Sequence, residues 1–83
     1  MKDKFILFCR PTCPFCVSAV DLLEERGLDY DVINFEPGEE RLLQEVKDAY
    51  NWGTVSIVLS VTEGGMSLIG GYDSLVEFLG RND

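Results

Sequence analysis

At 83 residues the chain has room for one small domain, and its 46% hydrophobic content is enough to close a single core rather than remain disordered. Fifteen acidic against seven basic residues leave a net charge of -8, which repels phosphate backbones and argues against nucleic acid as a partner; a solvated acidic face is the plain reading. Three cysteines are too few for a framework of bridges, and the first apolar run, Phe5-Ile6-Leu7-Phe8, is too short for a signal-peptide core or a membrane span, so a soluble protein of a reducing cytoplasm is expected.

Residues 5–8 predict a buried strand. From Pro14 to about Arg26, Val17, Val20 and Leu23 recur at a helical period, and Gly27 stands where a left-handed residue closes a helix. Residues 28–35 alternate in part, as a strand does, so a strand, helix and strand follow one another, implying a parallel pair joined by a right-handed crossover. Pro37-Gly38 interrupts the chain. Leu42, Leu43 and Val46 then repeat at helical spacing over residues 39–49, in a helix ending near Asn51-Trp52-Gly53. Residues 55–61 are rich in β-branched side chains and predict a third strand; Thr62-Glu63-Gly64-Gly65 has hairpin-turn chemistry, and residues 66–69 return antiparallel. Gly70-Gly71 breaks that strand. Asp73 or Ser74 is expected to cap a last helix over residues 75–80, whose Leu75, Val76, Phe78 and Leu79 dock on the sheet. The order βαβαββα predicts one α/β domain over residues 1–83, a four-stranded mixed sheet with helices on both faces.

Cys13-Pro14-Phe15-Cys16 falls between the first strand and the first helix. Two thiols with that spacing, in a chain read as cytosolic, form a redox motif. Cys13 takes the helix N-cap and Pro14 the first helical position, where its missing N–H costs nothing. The unpaired N–H groups and the positive end of the helix favour a thiolate at Cys13. A helix terminus supplies roughly 0.3–1 kcal/mol and at best about 2, and a pKa unit requires about 1.4, so the dipole lowers the thiol by about one unit and a larger fall needs a further cation or hydrogen bonds. Arg10, three residues earlier, is the nearby candidate; its plain alternative is a solvated surface cation. Cys16, about one turn into the helix, is expected to keep its proton until it resolves a mixed disulfide. Cys9 reads as a small, inert, buried hydrophobe, and Tyr50 and Trp52 as packing residues. With no histidine and one further cysteine, a four-ligand zinc site is not expected.

These residues resemble a glutaredoxin of the dithiol type, in the thioredoxin-fold superfamily. C-P-F-C at 13–16 is close to the family's usual C-P-Y-C, Thr54-Val55 matches the start of its T-V-P, and Gly70-Gly71-Tyr72-Asp73 is similar to its G-G-x-D. The resemblance implies the thioredoxin-like fold and glutathione-dependent reduction of protein disulfides and glutathione mixed disulfides, with glutathione as co-substrate; some glutaredoxins bridge an iron–sulfur cluster between two protomers, but Pro14 argues against it here and no metal is expected. By that resemblance Cys13 forms the mixed disulfide and Cys16 resolves protein disulfides. Val55 pairs through its backbone with the cysteinyl part of glutathione, Arg10 and Thr54 lie beside it, and Tyr72 and Asp73 hold the γ-glutamyl end; Phe15, by its own place between the two cysteines at a helix start, is expected to shield the sulfur and touch substrate, its plain alternative being a core aromatic. An aspartate at a helix start suits the ligand's ammonium, and Arg10 suits its carboxylates. Gln44 is a weaker candidate for the glycyl carboxylate. Disulfide-containing clients, ribonucleotide reductase among them, are the implied partners of a monomer that meets neither nucleic acid nor membrane. The alternatives are a thioredoxin-like electron donor served by a flavoprotein reductase, and a low-turnover binding module.

One position departs from the family pattern: Ser56 stands where the family has a cis-proline. A non-proline cis bond costs about 2.5–4 kcal/mol, so a trans Val55–Ser56 bond is expected. That geometry would turn the Val55 backbone away from an extended substrate and weaken activity without touching the thiols.

Overall fold

The structure, a computed structural model, describes residues 4–11, 13–53 and 55–81. The predicted order holds: β1 (Lys4–Cys9), α1 (Pro14–Glu25), β2 (Asp29–Asn34), α2 (Glu40–Tyr50), β3 (Ile57–Thr62), β4 (Gly65–Gly70) and α3 (Tyr72–Arg81). The strands form one mixed sheet in the order β2-β1-β3-β4. β1 runs parallel to β2 and antiparallel to β3, and the β3–β4 hairpin closes the edge. It is the thioredoxin-like arrangement expected of the order βαβαββα.

Strand alternation sorts the core into two faces. Phe5, Leu7 and Cys9 of β1 and Val58 of β3 pack with Cys16, Ala19 and Leu23 of α1 and with Leu75 and Leu79 of α3. Leu7 lies opposite Val58, so the two share that face. The alternate register pairs, Ile6 with Leu59 and Phe8 with Ile57, belong to the other face, where Leu43 of α2 is buried outside the first cluster.

The ends of the helices follow local chemistry. At the end of α1, Gly27 has φ 68° and donates its N–H to the Glu24 carbonyl, while Leu28 donates to Leu23. This pair of bonds is a Schellman closure, and glycine is the residue that adopts it without a Cβ penalty. Asn51 performs the same turn after α2 with φ 52°.

Three local expectations are corrected. The buried face of α1 is Cys16, Ala19 and Leu23, whereas Val17, the first position of the predicted stripe, is 56% exposed. On α2 and α3 the same one-residue error leaves Leu42 and Val76 outside the core. A periodic pattern fixes a stripe only to within about one position, since neighbours on a helix are separated by 100°. Finally, α3 begins at Tyr72, so Asp73 and Ser74 lie inside its first turn rather than capping it; Leu75 donates its N–H to the Gly71 carbonyl.

Candidate active site

β1 ends at Cys9, and the chain turns through Arg10 so that the Cys13 N–H reaches the Arg10 carbonyl at 3.2 Å. Cys13 is extended, with φ -86° and ψ 114°, and its carbonyl accepts from the N–H groups of Cys16 and Val17 as α1 begins with Pro14. It is therefore the N-cap, as its position before Pro14 predicts. Its side chain is half-buried, and Cys16, one turn behind it, is buried in the core.

The electrostatics differ from the expectation at Cys13. Its thiol is held above the ordinary cysteine value, first by removal from water and then by its hydrogen bond to the Cys16 sulfur; the N–H groups of Cys16 and Phe15 pull it down without reversing the sign. The thiolate-favouring helix terminus is thus present but outweighed. Cys16 is pushed far above the ordinary value, chiefly by its hydrogen bond to Cys9 and by burial, which agrees with a thiol that keeps its proton. Cys9 is shifted the other way, downward, because it receives that hydrogen bond. The directions describe a row of thiols in which Cys13 donates to Cys16 and Cys16 to Cys9. Cys9 is buried as expected, but it touches the dithiol through Cys16, a contact that its place at the end of a strand did not disclose.

Four of the predicted binding residues meet around one hollow. Phe15, Val55, Tyr72 and Asp73 line about 390 Å³ together with Trp52, Gly71 and Ser74. The rings of Phe15 and Tyr72 are 6.5 Å apart, so the first turns of α1 and α3 come together there. Phe15 is 59% exposed, which suits contact with a substrate and not a core role. Asp73 is exposed in the first turn of α3. Arg10 is exposed but lines other hollows. One, with Pro11, Phe35, Glu36, Pro37, Glu40 and Leu43, measures about 350 Å³; the other lies beside Cys9 and Cys16. Gln44 on α2 donates to Asp48 at 2.9 Å. Thr54 lies outside the described residues.

The Val55–Ser56 bond is cis, which corrects the expected trans bond. The trans preference is that of a free peptide, whereas this bond joins half-buried Val55 to Ser56, which is 1% exposed. The trans geometry that implied a weakened platform is therefore not the one this chain adopts. Trp52, read from sequence as packing, also borders the hollow, and its Nε1 and the Ser56 hydroxyl are buried with no hydrogen-bond partner among the described residues. A tryptophan two residues before Thr54-Val55 was the available signal.

The dithiol and its surroundings sit in a stretch that a family model recognises: residues 5–55 match the model described as Glutaredoxin. The chain belongs to the glutaredoxin family. No curated protein matches it. Among solved structures, a buckwheat glutaredoxin in complex with glutathione shares 23% identity over 96% of this chain and 71% of its own, with a TM-score of 0.78. A glutaredoxin from Brucella melitensis shares 22% over 94% and 79%, at a TM-score of 0.67. Glutaredoxin 1 from Francisella tularensis, complexed with cacodylate, shares 21% over 95% and 94%, at 0.68. These likenesses show the glutaredoxin fold, and the family supports thiol–disulfide oxidoreductase chemistry. Tyr72 and Asp73 lie beyond the matched residues, so their place in this glutaredoxin rests on the hollow they line.

Proposed function

We propose that the chain is a single-domain, glutathione-dependent thiol–disulfide oxidoreductase that reduces protein disulfides and glutathione mixed disulfides. The observation that carries this reading is the half-buried Cys13 sulfur at the start of α1, backed by a buried, protonated Cys16 within hydrogen-bonding reach. The Cys13 thiolate attacks one sulfur of a substrate disulfide; the substrate S–S bond breaks and the departing thiolate takes up a proton. Against a protein client, Cys16 then loses its proton and attacks the Cys13 sulfur, releasing the second client thiol and forming the Cys13–Cys16 disulfide. One glutathione thiolate opens that bridge by forming a mixed disulfide at Cys13, and a second removes it as glutathione disulfide. The balance is two glutathione thiols oxidised for one substrate disulfide reduced. A raised pKa leaves fewer thiolates at neutral pH, but each is the stronger nucleophile, so the shift at Cys13 tempers the rate without abolishing it.

Several features support glutathione as the reductant. Phe15, Trp52 and Tyr72 give the hollow aromatic walls, and Asp73 supplies a carboxylate for the ammonium of the γ-glutamyl group. The buckwheat relative was solved with glutathione bound. Arg10 is assigned the ligand's carboxylates, in a setting where Glu36 and Glu40 share its hollow and dilute its charge. In this reading Val55 contributes its backbone to the ligand, and Thr54 is proposed as a neighbouring contact.

The test is which reducing system sustains turnover. Glutathione with glutathione reductase is expected to support reduction of a glutathione mixed disulfide, Cys13→Ser to abolish it, and Asp73→Asn to raise KM for the glutathionylated substrate several-fold with little change in kcat. Turnover with thioredoxin reductase alone would assign the chain instead to electron donors of the thioredoxin type.

A further inference from the structure

Beyond the dithiol, the site holds a third thiol that the mechanism above does not use. Cys9 ends β1 with 1% exposure, Cys16 begins α1 with 4%, both belong to one cluster, and Cys13 packs against it. Cys16 shares the core cluster with Cys9 and is one helical turn from Cys13, whose carbonyl accepts its N–H. Cys9 and Cys16 also border a common hollow of about 310 Å³ on the side of Val32 and Asn34 of β2, away from the hollow lined by Phe15 and Tyr72. All three cysteines are free in the structure.

From this arrangement we propose that Cys9 is a second disulfide partner of Cys16, so that the oxidised site exchanges between a Cys13–Cys16 bridge and a Cys9–Cys16 bridge. The inference rests on the reading of Cys13 and Cys16 as a redox pair. Thiol–disulfide exchange requires a thiolate able to approach a disulfide sulfur, and Cys16 is the sulfur that Cys9 already contacts. The Cys9 thiol loses its proton and attacks the Cys16 sulfur; the Cys9–Cys16 bond forms as the Cys13–Cys16 bond breaks. The electron pair leaves on Cys13, which takes up a proton. Nothing is oxidised or reduced overall, and no outside reagent is needed once the substrate disulfide has oxidised the site. The consequence is chemical: the oxidised protein regains a free, partly exposed Cys13 able to attack a second disulfide.

The experiment oxidises the full chain with glutathione disulfide and quenches it in acid. Free thiols are labelled with one alkylating reagent in denaturant and those released by reduction with a second, and the labels are read cysteine by cysteine in fragment spectra. In the wild type treated with one equivalent of glutathione disulfide, which leaves no second disulfide for a freed Cys13 to attack, first-reagent label is expected to divide between Cys9 and Cys13. In Cys13→Ser, which keeps Cys9 and Cys16, both remaining thiols are expected to be lost together with no glutathione adduct, as a Cys9–Cys16 bridge requires. In Cys9→Val, the oxidised state is expected to lose its first-reagent label at Cys13. First-reagent label on Cys9 in every oxidised wild-type molecule, or a free Cys9 beside glutathionylated Cys16 in Cys13→Ser, would overturn the proposal. Failure of the functional reading has a different signature, loss of turnover with glutathione in the assay above.

Discussion

At Cys13 two effects of opposite sign meet. The N–H groups of Phe15 and Cys16 at the start of α1 favour the thiolate, and removal from water together with the Cys16 hydrogen bond favours the thiol; the second set prevails. Because the thiol lies above its ordinary value, the thiolate fraction still grows as pH rises past that value. Alkylation of Cys13 in the reduced protein should therefore keep accelerating about tenfold per pH unit through the ordinary thiol range, and a plateau at or below neutrality would reverse the assigned sign. Cys16 is displaced much further upward and is buried, so it should remain unmodified while Cys13 reacts, which peptide mapping checks. Gly70 makes a steric prediction. Its φ is 127°, and an added Cβ would lie 2.6 Å from the Ser74 hydroxyl and 3.0 Å from the Trp52 ring. Gly70→Ala should cost about 1–3 kcal/mol in urea unfolding, because both the backbone conformation and the close approach behind the Tyr72–Asp73 turn reject a side chain.

At the scale of elements, the β1–α1 junction carries the chemistry. β1 delivers Cys9 to the core, Arg10 turns the chain, and the helix places one sulfur toward solvent and the next beneath it. That junction was legible in the sequence because C-P-F-C is a local signal: proline at the first helical position sets the N-cap, and the N-cap sets which cysteine faces out. The buried stripe of α1 was less legible. Val17 matches an apolar stripe as well as Cys16 does, and only packing against β1 and α3 selects Cys16, Ala19 and Leu23. Leu23 is fully buried, so Leu23→Ala should lower unfolding stability by about 2–5 kcal/mol, a cost that Val17→Ala should not approach. α3 shows the complementary case: a helix beginning at Tyr72 puts Asp73 in the first turn and brings Tyr72 against Phe15, a contact that no local pattern specifies.

Over the whole molecule the net charge of -8 sets the terms on which an anionic substrate arrives. Glutathione and its disulfide are anions at neutral pH, and the Debye length falls from about 30 Å at 0.01 M salt to about 10 Å at 0.1 M. With glutathione as substrate, kcat/KM should rise as salt is added at low ionic strength, since screening relieves the repulsion; a fall would show that a local positive field near Arg10 outweighs the net charge. The radius of gyration of 12.3 Å is close to the roughly 12 Å of a compact chain of this length, so the sheet and three helices leave little surplus volume beyond the surface hollows.

The sequence by itself determined the order of elements, the dithiol at the mouth of a helix and the family, because each is written in residues close together in the chain: a run of apolar side chains, a proline after a cysteine, a glycine after a helix. The tertiary structure alone decided that the Val55–Ser56 bond is cis, that burial holds Cys13 above the ordinary thiol value, that Cys9 and Cys16 share one core cluster and that Trp52 borders the hollow beside Tyr72 and Asp73. These are outcomes of surfaces meeting across long stretches of chain, where the energy of packing and of lost water exceeds any local preference, and no neighbouring residues encode them.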